Sequence, residues 1–90
     1  MPKKTIACSQ FTTIFTNPSA NEVSLSLDVN RPCGGDTVYG LYDMVTDELQ
    51  SSSVLESGTI VPVPAKQYLA VRCDGSDHAG EGCEVEYGVV

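Results

Sequence analysis

The stretch Glu22-Val23-Ser24-Leu25-Ser26-Leu27-Asp28-Val29-Asn30 alternates apolar and polar side chains without interruption. Successive side chains of a β-strand point to opposite faces, so this period of two predicts a strand with one buried and one polar face. The predicted buried face carries Val23, Leu25, Leu27 and Val29. The opposite face carries Ser24, Ser26 and Asp28, small or polar side chains that suit solvent or a hydrated protein interface.

Other short extended segments follow the same logic and are separated by turn residues roughly every eight to twelve positions. We expect strands at residues 4–8, 10–16, 37–43, 59–63, 67–73 and 83–89, and a short strand that ends at Val54. Pro62 and Pro64 confine the 59–63 strand to an edge or to the end of a strand, because proline lacks a backbone donor. The predicted fold is all-β: a single small antiparallel β-sandwich, or partly open barrel, of about six to seven strands. One domain spans residues 1–90, with residues 1–5 as an N-terminal arm.

Two of these strands are predicted to pair directly. Residues 67–73 and 83–89 both alternate, and a long hairpin through residues 74–82 would join them. Their predicted core faces carry Leu69, Val71 and Cys73 on the first strand, and Cys83, Val85 and Tyr87 on the second. In the 37–43 strand both sides carry apolar groups, so the sequence leaves its inward side open.

Length and charge limit the classes of function. A 90-residue domain buries only about 60 to 65% of its unfolded surface, so its core alone gives marginal stability. The net charge is −7, with ten acids against two bases from Asp36 onward. Such a surface repels phosphate backbones and anionic lipid, so we expect neither nucleic-acid binding nor membrane docking. The chain opens with Lys3 and Lys4 but has no apolar run of signal-peptide or membrane-spanning length.

The four cysteines are candidates for disulfide bonds. A Cys73–Cys83 bridge would close a short loop and stabilise the fold by about 2 to 3 kcal/mol, leaving Cys8 and Cys33 as the second pair. Four cysteines allow three pairings, and free buried thiols are the main alternative. Zinc would need Cys33, Cys73, His78 and Cys83 together, and the absence of a Cys-x-x-Cys pair argues against it.

The loop at residues 74–84 offers oxygen ligands for calcium. They are Asp74, Asp77, Glu81 and Glu84. The spacing of a known calcium loop is missing, and an acidic, glycine-rich hairpin tip explains the composition equally well. Calcium binding there stays open.

No catalytic constellation is visible. The single histidine and the many serines lack a Gly-x-Ser-x-Gly elbow, and the paired acids fit an exposed strand face. We therefore expect no enzyme activity, no catalytic residues, no metal and no cofactor. The tyrosines at 39, 42, 68 and 87 suggest a carbohydrate platform, although tyrosine is as often a core-edge residue whose hydroxyl reaches water.

The order of these elements resembles small β-sandwich virion proteins of tailed bacteriophages, the decoration or cement proteins of the head and some tail-associated modules. Four segments, which together span most of the chain, carry the resemblance. They are Thr12-Thr13-Ile14-Phe15-Thr16-Asn17-Pro18, the alternating strand from Val23 to Val29, Leu55-Glu56-Ser57-Gly58-Thr59-Ile60-Val61-Pro62-Val63-Pro64, and Gln67-Tyr68-Leu69-Ala70-Val71.

The resemblance implies a non-enzymatic structural protein, made in the host cytoplasm, that binds and stabilises a capsid lattice on the outer surface of the virion. The expected partner is the major capsid protein or another virion protein, with the chain itself lattice-bound or a homo-oligomer. Sheet edges are the expected interface, at Lys3 and Lys4 and at Thr59, Ile60 and Val61. The alternative is a secreted or surface β-sandwich, stabilised by disulfides, that binds carbohydrate or protein.

Overall fold

The structure, a computed structural model, describes residues 3–6, 10–31, 37–56, 58–73 and 83–90. These ranges contain no helix and eight strands. The strands are β1 (Lys3–Ile6), β2 (Thr12–Asn17), β3 (Val23–Arg31), β4 (Thr37–Asp43), β5 (Leu49–Val54), β6 (Thr59–Val63), β7 (Gln67–Cys73) and β8 (Cys83–Val89).

The strands form two four-stranded sheets. The first sheet has the order β1-β8-β3-β6 and the second has the order β2-β7-β4-β5. Every neighbouring pair is antiparallel. The predicted fold class, a small antiparallel β-sandwich, is confirmed. The described residues hold eight strands, one more than the predicted upper number of seven, and each lies where the sequence predicted an extended segment.

The alternating stretch forms β3, a central strand of the first sheet. Leu25 and Leu27 have no exposed surface, whereas Ser24, Ser26 and Asp28 on the other side are half-buried. β3 pairs with β6 on one side and with β8 on the other. The buried apolar core draws on both sheets and on the segment after β5: Ile6, Ile14, Leu25, Leu27, Leu41, Leu55, Val61, Val63, Leu69, Val71 and Val85.

The predicted hairpin between residues 67–73 and 83–89 is wrong. β7 pairs with β2 and β4, whereas β8 pairs with β1 and β3 in the other sheet. Leu69, Val71 and Val85 do share the core, but Val85 belongs to the opposite sheet. Most hairpin loops have about two to five residues, and the longer connection between these strands is instead long enough to cross from one sheet to the other.

The positions of the other predicted strands agree with the structure. Thr59–Val63 is β6, an edge strand, which is one of the two positions that its prolines allowed, and the short strand ending at Val54 is β5. Residues 3–5 of the predicted arm lie in β1, which pairs with β8 at the other edge of the first sheet.

One buried polar side chain joins the two sheets at the end where β2 and β6 finish. The Asn17 side chain is 1% exposed. Its Nδ2 donates to the carbonyl oxygens of Asn21 (2.8 Å), Val63 (3.0 Å) and Pro64 (3.3 Å). Its Oδ1 accepts from the backbone N–H of Ser19 at 3.1 Å and from the Ser19 hydroxyl at 2.6 Å. Because Asn17 belongs to the second sheet and Val63 to the first, this amide fixes one sheet against the other.

Candidate functional site: an aromatic face on the second sheet

The outward face of the second sheet carries a cluster of aromatic side chains. Leu69 and Val71 of β7 point into the core, so Tyr68, Ala70 and Arg72 point outward. The register places Tyr42 opposite Tyr68 and Gly40 opposite Ala70, so both β4 residues share that outward face. We call Phe11, Tyr42, Leu49, Tyr68 and Arg72 the aromatic face.

The rings of the aromatic face contact one another in an ordered row. Tyr42 and Tyr68 stack with centroids 5.1 Å apart and planes 8° apart. Phe11 meets Tyr42 edge to face, with centroids 5.7 Å apart and planes at 76°. The Arg72 guanidinium carbon lies 4.9 Å from the Phe11 ring centroid, within the range of a cation–π contact. Aromatic rings and arginine are the side chains enriched at the centres of protein interfaces.

Gly40 allows this row to form. An added Cβ there would meet Leu49 Cδ1 and Tyr42 Cε1, each at 3.0 Å, and Phe11 Cε1 at 3.5 Å. Glycine inside a strand weakens the sheet, and a close approach by neighbouring groups is a common reason for its presence. Here the side chains of Phe11, Tyr42 and Leu49 pack directly against the backbone of Gly40.

We expect Gly40→Ala to disturb the Tyr42 ring while changing stability by less than about 1 kcal/mol. The crowding against Tyr42 and Leu49 is offset by the lower conformational entropy that alanine gives the unfolded chain. Near-UV circular dichroism should report altered tyrosine signals, and urea unfolding should report the small change in stability. The double variant Gly40→Ala/Leu49→Ala relieves one of the two contacts and should recover part of the native signal. A near-UV spectrum identical to the wild type would contradict this packing.

An acidic turn borders the aromatic face at the β4–β5 connection. The Asp43 carboxylate accepts from the backbone N–H groups of Val45 (2.8 Å) and Thr46 (3.0 Å). These bonds, the one from Thr46 foremost, hold the pKa of Asp43 below its ordinary value, so the carboxylate stays charged. Asp47 takes a left-handed backbone conformation (φ 58°), which aspartate tolerates better than most residues.

The Tyr68 hydroxyl connects the aromatic face to this turn. It donates to Asp47 Oδ1 at 3.0 Å. Burial, then the hydrogen bond to Asp47 and the charge of that carboxylate, raise the pKa of Tyr68 above its ordinary value. The hydroxyl therefore stays protonated at neutral pH and fixes the angle of the Tyr68 ring.

The outward face of the first sheet differs in chemistry. Ser24, Ser26 and Asp28 alternate with the buried leucines of β3, and Asp28 lies opposite Glu86 of β8. Like charges directly opposite each other repel, so this face is suited to water. The outward side of β3 is thus polar, whereas the outward side of the second sheet carries aromatic rings.

The structure separates the four tyrosines that suggested a platform. Tyr42 and Tyr68 lie together on the aromatic face, whereas Tyr39 and Tyr87 are partly buried and pack against the core. Sequence reasoning missed Phe11, Gly40, Leu49 and Arg72. The alternation of Val38, Gly40 and Tyr42 could have indicated that Gly40 shares a strand face with Tyr42. Phe11 gave no such signal, because it precedes β2, and only the pairing of β2 with β7 places it on the aromatic face.

The predicted interface residues lie on the two edges of the first sheet. Lys3 and Lys4 belong to β1, and Thr59, Ile60 and Val61 belong to β6. Ile60 is 57% exposed, whereas the Val61 side chain is 1% exposed and belongs to the core. Their role as an interface stays a prediction.

The cysteine and metal predictions fall largely outside the described residues. Cys8, Cys33, His78, Asp74, Asp77 and Glu81 all lie there. Cys73 and Cys83 are strand residues of opposite sheets, and Glu84 lies opposite Arg31. The disulfide pairings stay predictions. Among the described residues, no group of three or more His, Cys, Asp or Glu residues is placed to hold a metal ion.

None of the described residues belongs to a helix long and apolar enough to cross a membrane. Comparisons with protein-family models, with curated proteins and with solved structures find no match for this chain.

Proposed function

We propose that this chain is a non-enzymatic structural protein of a virion that binds and stabilises a phage-type capsid lattice. The observation that carries the proposal is the aromatic face, an ordered row of rings on the outside of one sheet. A sandwich needs apolar side chains on the inner faces of its sheets, and Phe11, Tyr42 and Tyr68 lie outside that core. Aromatic groups and arginine together on an outer surface favour contact with another protein.

Size and charge support an assembly role. A domain this small has a marginal core, and binding to a lattice raises its stability by mass action. The net charge of −7 favours the outside of a DNA-filled shell over its inner surface. The major capsid protein is the partner we propose, reached through the aromatic face together with the sheet edges.

Capsid shells prepared without the protein provide the test. Adding back the wild type should raise the temperature at which the shells dissociate, and Tyr68→Ala should weaken binding to the shells about tenfold or more, as for an aromatic residue central to an interface. Circular dichroism checks that the variant is folded. Ser26→Ala, on the polar face of the first sheet, is the matched control and should bind like the wild type. Shells whose thermal stability is unaffected by the wild-type protein would refute the proposal.

The stacked pair of tyrosines favours a second candidate, a carbohydrate-binding module. Tyr42 and Tyr68 offer aromatic surface beside a carboxylate acceptor at Asp47, a combination able to contact both the apolar and the hydroxyl-bearing sides of a sugar. Titration of labelled protein with a panel of oligosaccharides separates the two candidates. Saturable shifts confined to the aromatic face, together with no shell binding, would establish the second and exclude the first.

A further inference from the structure

The four edge strands of the sandwich differ in how they resist pairing with another chain. Edge strands expose unpaired backbone groups, and proteins protect them with proline, charge or bulges. β6 contains Pro62, β1 contains two lysines, and β2 has a register irregularity between Thr13 and Phe15. Each of these three edges therefore carries one such device.

The fourth edge, β5, carries neither proline nor charge. Its sequence is Leu49-Gln50-Ser51-Ser52-Ser53-Val54, and every residue is exposed. β4 pairs with one side of it, and no other described strand pairs with the second side. The one irregularity falls near Leu49, so residues 51–54 keep a regular register with β4. The second sheet thus ends in an edge that is open among the described strands and regular over residues 51–54.

Small and apolar side chains along β5 leave room for another strand. Leu49 and Val54 are 51% and 53% exposed, and three serines lie between Gln50 and Val54. An added strand would form backbone hydrogen bonds with the serine segment and cover both apolar side chains. Leu49 also belongs to the aromatic face, so the edge and that face adjoin.

Acidic side chains flank the edge at both ends. Asp47 and Glu48 precede β5 and Glu56 follows it, and all three are exposed. Antiparallel pairing with β5 of a second copy, centred on Ser52, would bring the Glu48 end of one strand beside the Glu56 end of the other. Like charges placed so repel, whereas lysine or arginine at those positions would be attracted. Charge complementarity therefore selects a basic partner over a second copy.

We propose that β5 receives an extended, basic segment of a partner protein as a fifth strand of the second sheet. The segment spans the distance from Glu48 to Glu56 and carries Lys or Arg near both ends, with small or β-branched residues between them. The β5 edge would then be one site of contact with the partner, and this inference rests on the proposed assembly role.

The test uses the full chain and two synthetic peptides of alternating Thr and Val. One peptide has lysine at both ends and the other has glutamate there. Nuclear magnetic resonance titration should show the lysine peptide binding about tenfold more tightly, as expected for two exposed charge pairs. Hydrogen exchange should slow at amides of residues 50–54. No binding of either peptide, equal binding, or protection at β6 instead of β5 would overturn the proposal.

Charge reversal gives the second arm of the test. The double variant Glu48→Lys/Glu56→Lys should prefer the glutamate peptide. Glu22→Lys/Glu86→Lys changes the net charge equally at other sites and should keep the wild-type preference. A control variant that also switched preference would show that net charge, and not the β5 edge, selects the peptide, and would overturn the inference. A concentration-dependent dimer abolished by Ser52→Arg would assign the edge to a second copy instead.

Shell binding separates this inference from the proposed function. If wild type and Glu48→Lys/Glu56→Lys bind shells equally well, the β5 inference fails and the assembly role stands. If wild type binds the lysine peptide at β5 but does not bind shells, the capsid role fails and the edge remains a strand-accepting site.

Discussion

Leu27→Ala should destabilise the domain by about 3 kcal/mol and lower its melting temperature by about 15 °C. Leu27 has no exposed surface and lies in β3 between its neighbours β6 and β8. Removing its terminal carbons loses their transfer free energy and leaves a cavity that the two packed sheets fill only partly. For a chain of this length the loss is a large part of the total stability. Urea and thermal unfolding followed by circular dichroism measure it.

Ser26→Ala is the matched control for that variant. Ser26 is the adjacent β3 residue and lies on the opposite, outward side of the strand. A change of less than about 0.5 kcal/mol is expected there, as for most surface substitutions. Equal effects of the two variants would mean that the inside and outside of β3 are wrongly assigned.

Asn17→Ala should destabilise the domain by about 3 kcal/mol although it removes no apolar contact of the core. The Asn17 amide donates to the carbonyl oxygens of Asn21, Val63 and Pro64. Of these three hydrogen bonds, the one to Val63 is fully buried. Alanine leaves that buried acceptor without its donor, and each such loss amounts to about 1 to 3 kcal/mol. Unfolding curves should show the reduced stability, and hydrogen exchange should accelerate at residues 63–67.

Asn21→Ala separates the amide chemistry from the loop itself. Asn21 is exposed and takes part in the network through its backbone oxygen, which alanine retains. Its replacement should change stability by less than about 0.5 kcal/mol. Stability of Asn17→Ala within that same range would show that the buried network contributes little to joining the sheets.

The positions of the strands could be predicted from the sequence, because the alternation of apolar and polar residues depends on local burial. β3, β4, β7 and β8 agree with their predicted positions, and the buried faces of β3 and β7 were correctly assigned. Which strands pair depends on contacts between distant residues that alternation does not encode. This is why the β7–β8 hairpin was wrong although both strands were placed correctly.

The aromatic face was hidden from the sequence for a related reason. Val38 and Tyr42 on one side of β4 are as apolar as Tyr39 and Leu41 on the other, so its pattern fits either orientation. Only the pairing with β7, whose inward residues are Leu69 and Val71, fixes Tyr42 outside. The network of Asn17 was equally invisible, since Asn17-Pro18 reads as an ordinary turn.

The ring row has a consequence for the entropy of binding. Tyr42 is held between Phe11 and Tyr68, and the Tyr68 hydroxyl is bonded to Asp47, so these side chains are ordered before any partner arrives. Immobilising a free side chain on binding opposes association by about 0.5 to 1.5 kcal/mol. A partner that binds this face finds the side chains already in fixed rotamers. Less entropy is therefore lost on binding, and the affinity is higher.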